Sequence, residues 1–129
     1  MTSILDASAA LALLRRETGH EVVAERLRDD RVLMSAVNYS ETVQKLAQLG
    51  STTAADDASA LVALGVTVAA FDTDSAVLTA DLWPTTRTAG LSLGDRACLA
   101  LTASVPDAVA LTADRAWLKV DGVAVDVIR

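Results

Sequence analysis

The sequence predicts an α/β domain in which a mostly parallel sheet of roughly five strands is covered by helices on both faces. Two observations carry this expectation. Short Val-rich apolar runs alternate with longer stretches of helical periodicity along the whole chain. Several of those runs are nearly continuous in apolar character, as strands buried on both faces are.

The first strand is expected at residues 3–5. The stretch SAALALLRRE follows as a helix, with Ser8 as a plausible N-cap and Gly19 where a helix would stop. HEVVAERLRD forms a second helix, its Val22, Val23 and Leu27 at helical spacing, and a second strand lies at 32–36. NYSETVQKLAQLG is a third helix closed by Gly50. TTAADDASALVALG has a hydroxyl start, acids in its first turn and a terminal glycine, which together signal a fourth. A third strand at 66–70 leads to a fifth helix at 74–82, ending before Trp83 and Pro84. Residues 84–95 are the least regular stretch, and their hydroxyls, Arg87 and two glycines suit a loop beside a site. A sixth helix spans 95–104, strands follow at 109–112 and 123–127, and Asp114 opens a short last helix between them.

At 129 residues and 52% hydrophobic content the chain is one domain, residues 1–129, large enough to bury an ordinary core. Its single cysteine, Cys98, lies in the apolar pattern ACLALTA with no second thiol for a disulfide or a zinc knuckle, which suits a reducing compartment. No apolar run approaches a bilayer span and no secretory leader pattern is present, so the expected location is the cytoplasm, with no membrane partner. The net charge of −6 argues only superficially against nucleic acid. Once a cation takes up four of the seventeen acids, eleven Lys and Arg remain to form a local basic rim. At 3% aromatic content a stacking platform for unpaired bases is not expected, and recognition would rest on backbone and shape. Gly90 and Gly94 belong to no phosphate-loop pattern, which disfavours nucleotide hydrolysis of that kind.

Four acids stand out. Asp6, Glu41, Asp95 and Asp114 lie in ILDASAALALL, SAVNYSETVQKL, GLSLGDRACLALT and VALTADRAWL, each where an apolar strand or loop runs into a helix. In a parallel α/β sheet such positions converge outside the carboxyl ends of the strands, near the point where strand order reverses. Taken singly, each acid has a plainer explanation. Asp6 and Asp114 suit helix caps, Glu41 lies three residues after Asn38 at capping-box spacing, and Asp95 lies three after Ser92. Random surface caps would not converge, so the joint pattern favours a site. Carboxylates packed together raise one another's pKa unless a cation compensates them, and an all-oxygen set suits Mg²⁺ or Mn²⁺ rather than zinc. Thr112 is placed either to offer a hydroxyl to a carboxylate or to finish a strand, and Arg87 either to contact phosphate or to sit in solvent. Arg96 is left open between pairing with the acids and facing solvent. His20 is expected on the surface, and Trp83 and Trp117 as core or partner-facing anchors.

These segments, in this order and spacing and over essentially the whole chain, resemble PIN-domain proteins, and VapC-type toxins most of all. The pairing of GLSLGDRACLAL with LTAD is the most specific part of the likeness. The resemblance implies a three-layer α/β/α fold, divalent-metal ribonuclease activity, a VapB-like antitoxin partner and a homodimer. It puts the family's metal-binding and catalytic acids on Asp6, Glu41, Asp95 and Asp114, its small hydroxyl on Thr112 and a loop cation on Arg87. The run RAWLK after the last acid lacks the further acidic or polar residue that many members carry, a departure from the family pattern at a position that bears on a second metal site. The reaction implied is hydrolysis of RNA phosphodiesters by a metal-activated water. A catalytically silent PIN-like module that binds RNA or protein is the alternative, and a nuclease acting on DNA flaps a more distant one.

Overall fold

The computed structural model describes all residues, 1–129. Five strands, β1 (Thr2–Leu5), β2 (Arg31–Ser35), β3 (Thr67–Ala69), β4 (Ala108–Thr112) and β5 (Val125–Val127), form one sheet in the order β3-β2-β1-β4-β5. Every neighbouring pair is parallel. Seven α-helices connect them: α1 (Ala7–Arg15), α2 (His20–Asp29), α3 (Ala36–Gln48), α4 (Ala54–Ala63), α5 (Thr73–Asp81), α6 (Trp83–Thr86) and α7 (Leu93–Ser104).

Strand periodicity divides the core in two. Ile4 stands in register with Leu33 and Ala110, and all three belong to a cluster with Cys98, Leu99 and Trp117 beneath α7. The next residues, Leu5, Met34 and Leu111, point to the other face and join Ala9, Ala10 and Ala12 of α1, Val23 of α2 and Leu61 of α4. Since both faces of β1, β2 and β4 are covered, the architecture is three-layered, and the near-continuous apolar strands follow from it. The small residues of α1 let that helix lie close on the sheet. Burying a side chain of the size of Ile4 or Leu111 contributes about 1.5–3 kcal/mol, and both are fully buried.

Several element ends differ from the sequence expectation for local reasons. The N-cap of α1 is Asp6, with Ser8 already inside the helix. That helix ends at Arg16, which takes a left-handed conformation at φ 53°, while Gly19 at φ 96° is the N-cap of α2. The N-cap of α3 is Ser35, three residues earlier than Asn38. The first residues of the stretch 84–95, expected as loop, belong instead to α6 and to a 3-10 turn at Arg87–Ala89, with Pro84 in the first helical turn where its missing N–H costs nothing. Trp117 is fully buried in a second 3-10 turn, Arg115–Lys119, whereas Trp83 is half exposed with the Arg87 guanidinium 5.1 Å above its ring. No helix is long and apolar enough to cross a membrane.

Candidate metal centre and active site

Strand order reverses between β1 and β4, since β1 continues to β2 and β3 on one side while β4 and β5 lie on the other. Asp6 follows β1 directly, and Asp114 follows Thr112, the last residue of β4. The two acids therefore flank the crevice that a parallel sheet leaves at its switch point. Glu41 comes from the second turn of α3 and Asp95 from the first turn of α7. All four line one open cleft of about 900 Å³, together with Ser8, Leu11, Gln44, Lys45 and Gln48. A smaller apolar gap beneath α5 contains no titratable side chain.

Capping and convergence prove to be compatible. Asp6 caps α1 by accepting from the Ala9 amide at 2.8 Å. Asp95 closes a reciprocal capping box with Ser92, and Asp114 caps the second 3-10 turn through the Ala116 amide. Only Glu41 caps nothing; its Oε1 accepts instead from the Asn38 side-chain amide at 2.8 Å. Each cap fixes its carboxylate at a helix start, and the helix starts meet because the sheet is parallel.

Asp6 is the most buried of the four, at 5% exposure. Its Oδ1 also accepts from Ser8 Oγ at 2.7 Å, and its Oδ2 accepts from Thr112 Oγ1 at 2.6 Å. Those hydroxyls accept in turn, Ser8 Oγ from the Ala113 amide and Thr112 Oγ1 from the Asp114 amide. Burial pushes the Asp6 carboxyl up to about 6; the bonds from Thr112, Ser8 and Ala9 oppose the rise, and the charge of Asp95 adds to it. Glu41 is raised as well, first by burial and further by Asp95, against the bond from Asn38.

The carboxylates thus sense one another's charge. They do not close into a cage, for no three His, Cys, Asp or Glu side chains are drawn tightly enough together to enclose an ion as they stand. Asp6 Oδ1 and Asp95 Oδ2 are each engaged by a capping amide, which leaves lone pairs on both carboxylates open towards the cleft. In charge, in oxygen-only chemistry and in mutual repulsion, the set fits a hard divalent cation; with one bound, the side chains would have to close on it.

Thr112 belongs to this cluster. Arg87 does not line the cleft, although its 3-10 turn packs against the turn that Asp114 caps. Arg96 turns from the acids to donate to the Leu91 carbonyl, and His20 is partly exposed beside Glu21. Sequence reasoning missed Lys45, the one cation of the cleft lining, although its place four residues after Glu41 put both on one helix face. It also missed Ser8 as a partner of Asp6.

Residues 3–123 match the model of the PIN domain. Among solved structures, the chain is similar to VapBC-5 from Mycobacterium tuberculosis, a member of the VapBC family of toxin-antitoxin systems, at 25% identity and a TM-score of 0.63, covering 99% of this chain and 98% of that one. It is also similar to M. tuberculosis VapC20, described as a Sarcin-Ricin loop cleaving toxin (19% identity, TM-score 0.72, 88% and 90% covered). A third is VapBC2 from Rickettsia felis bound to a DNA fragment from its promoter (11% identity, TM-score 0.73, 98% of each chain covered). No curated protein matches the chain in sequence.

Proposed function

Because this chain belongs to the PIN-domain family, we propose that it is a divalent-metal-dependent endoribonuclease acting as the toxin of a toxin–antitoxin pair. The observation that carries this reading is the convergence of Asp6, Glu41, Asp95 and Asp114, from four separate segments, on one cleft at the sheet's switch point. The similar structures support it, one being described as a Sarcin-Ricin loop cleaving toxin, one as a member of the VapBC family of toxin-antitoxin systems and one as VapBC2.

Asp6, Glu41, Asp95 and Asp114 would hold Mg²⁺ or Mn²⁺, with Asp6 and Asp95 as the principal ligands. When bound, such an ion makes water a better nucleophile at neutral pH and stabilises charge on a phosphoryl oxygen. The protein's own contribution is orientation. Thr112 and Ser8 hold the Asp6 carboxylate by both oxygens, which fixes its direction and favours its charged form. Lys45 extends from the wall of the cleft with no acidic partner within ion-pair distance, so its ammonium is free to meet an RNA phosphate. Arg87 would meet the backbone further out, beyond the turn capped by Asp114.

A VapB-like antitoxin is the proposed protein partner. By inserting a basic side chain among the acids it would compete with the cation. A homodimer and a cytoplasmic location complete the reading.

The direct experiment is cleavage of total cellular RNA by antitoxin-free protein with Mg²⁺ or Mn²⁺, with chelator, and by Asp95→Asn. Discrete fragments that vanish with chelator and with the variant support the reading. Full activity of the variant overturns the ligand assignment, and absence of cleavage both in vitro and on expression in cells favours a silent binding module.

A further inference from the structure

We infer that Asn38 and Gly94 are positioning residues that together set the Glu41 carboxylate across the junction of α3 and α7; the inference rests on the proposed role of Glu41 as a metal ligand. Three observations on different atoms support it.

The first concerns space. Gly94 is buried in the first turn of α7, and a Cβ built on it would collide with the carboxylate of Glu41, meeting both oxygens and the carbon between them. Gly94 is absent from the glycines with positive φ, so its backbone does not require glycine. Helix propensity alone would favour alanine at such a position. What glycine leaves open there is the place where the carboxylate lies.

The second concerns donors. The Asn38 side-chain nitrogen gives one bond to Glu41 Oε1 at 2.8 Å and one to the Gly94 carbonyl at 2.9 Å. Both partners are acceptors, so the orientation of the amide is decided by chemistry: turned over, its oxygen would face a carboxylate and a carbonyl. One amide thus ties the acid of α3 to the helix that delivers Asp95.

The third concerns the cost. Asn38 is 1% exposed, and its Oδ1 has no hydrogen-bond donor. A buried oxygen left unpaired is unfavourable, and an apolar residue of similar volume would avoid it. The position is therefore poorly explained by packing and well explained by the two bonds its nitrogen makes. Reach matters as well: Glu41 carries one more methylene than the three aspartates, and its carboxylate needs both a slot and a tether to stay in one place.

The test is a pair of double-mutant cycles in which Gly94→Ala and Asn38→Leu are each made alone and with Glu41→Ala. It is read by calorimetric Mn²⁺ titration, by melting of the metal-free protein and by RNA cleavage. Gly94→Ala alone should weaken Mn²⁺ binding at least tenfold while the metal-free protein stays folded, because the group displaced is the far end of a flexible side chain. With Glu41→Ala present, Gly94→Ala should weaken Mn²⁺ binding no further and should raise the metal-free melting temperature more than it does in the wild-type background. Asn38→Leu, which keeps the branched heavy-atom shape and removes both donors, should likewise weaken Mn²⁺ binding only while Glu41 is present. Equal effects of Gly94→Ala with and without Glu41, in both titration and melting, would overturn the inference. Failure of the wild-type protein to bind Mn²⁺ would overturn the proposed function instead, and the metal-free melting cycle would still decide whether Gly94 acts through Glu41.

Discussion

Thr112 Oγ1 donates a 2.6 Å hydrogen bond to Asp6 Oδ2 across 106 residues of sequence. This bond joins the end of β4 to the end of β1, the two strands between which strand order reverses. It also satisfies an oxygen of the most buried acid in the cleft.

Replacing Thr112 by Val keeps the branched shape and deletes the hydroxyl, leaving Asp6 Oδ2 and the Asp114 amide without their partner. Loss of a buried partner of this kind costs about 1–3 kcal/mol. Because the bond holds the Asp6 pKa down, its removal should raise that pKa further and move the pH midpoint of Mn²⁺ binding upward. Thr112→Ser should restore both. Chemical denaturation and metal titration across pH check this.

Asp6 gives the metal-free protein a specific pH dependence. Its carboxyl is raised from 3.8 to about 6 in the fold, so between those values the native state holds a proton that the unfolded chain has lost. The contribution is therefore most favourable below pH 3.8, declines as pH rises through the window, and is lost above about 6, a change of about 3 kcal/mol. Asp6→Asn should remove this component, so that the variant melts above the wild type at pH 7.5 and the gap closes towards pH 4. Melting curves of both proteins with chelator present are the measurement. An ion that needs the carboxylate charged should bind progressively more weakly as pH falls below 6.

The charge of Asp95 raises both Asp6 and Glu41. Asp95→Asn keeps an oxygen for the Ser92 amide of the capping box while removing that charge. The variant should stay folded, melt no lower than the wild type without metal, and lose most of its Mn²⁺ affinity and RNA cleavage. A variant that retains metal affinity would show that Asp95 only caps α7.

Lys45→Gln should raise KM with little change in kcat, because an ammonium that meets phosphate away from the scissile bond binds ground and transition states alike. The loss of one phosphate contact should also reduce the salt slope of RNA binding by about 0.7. Arg87→Ala should have the smaller effect, since Arg87 stacks on exposed Trp83 outside the cleft lining. Filter binding at several salt concentrations separates the two.

Much of the site was legible because its signals are local. A carboxylate after an apolar run and before helical periodicity marks a strand-to-helix turn whatever the rest of the chain does. Asp6, Asp95 and Asp114 all occupy such helix starts. The errors arose where a local rule has two solutions a few residues apart. Ser8 and Asp6 are both good caps, and the choice went to Asp6 because its carboxylate also receives Thr112 from β4. Asn38 and Ser35 are likewise both good caps. Asn38 instead entered the helix and turned its amide to Glu41 and α7, neighbours that spacing alone does not place.

By itself the sequence determined the class of fold, the number of strands and the identity of the four acids, since periodicity, strand-like apolar runs and turn chemistry act over a dozen residues or fewer. Only the tertiary structure decided which oxygens face one another, that Asp6 is nearly sealed from solvent while Asp114 is exposed, and that a missing Cβ at Gly94 makes room for Glu41. These are contacts between segments up to 106 residues apart. They depend on strand order and helix packing, and burial and electrostatics take their values only after the chain has closed on itself.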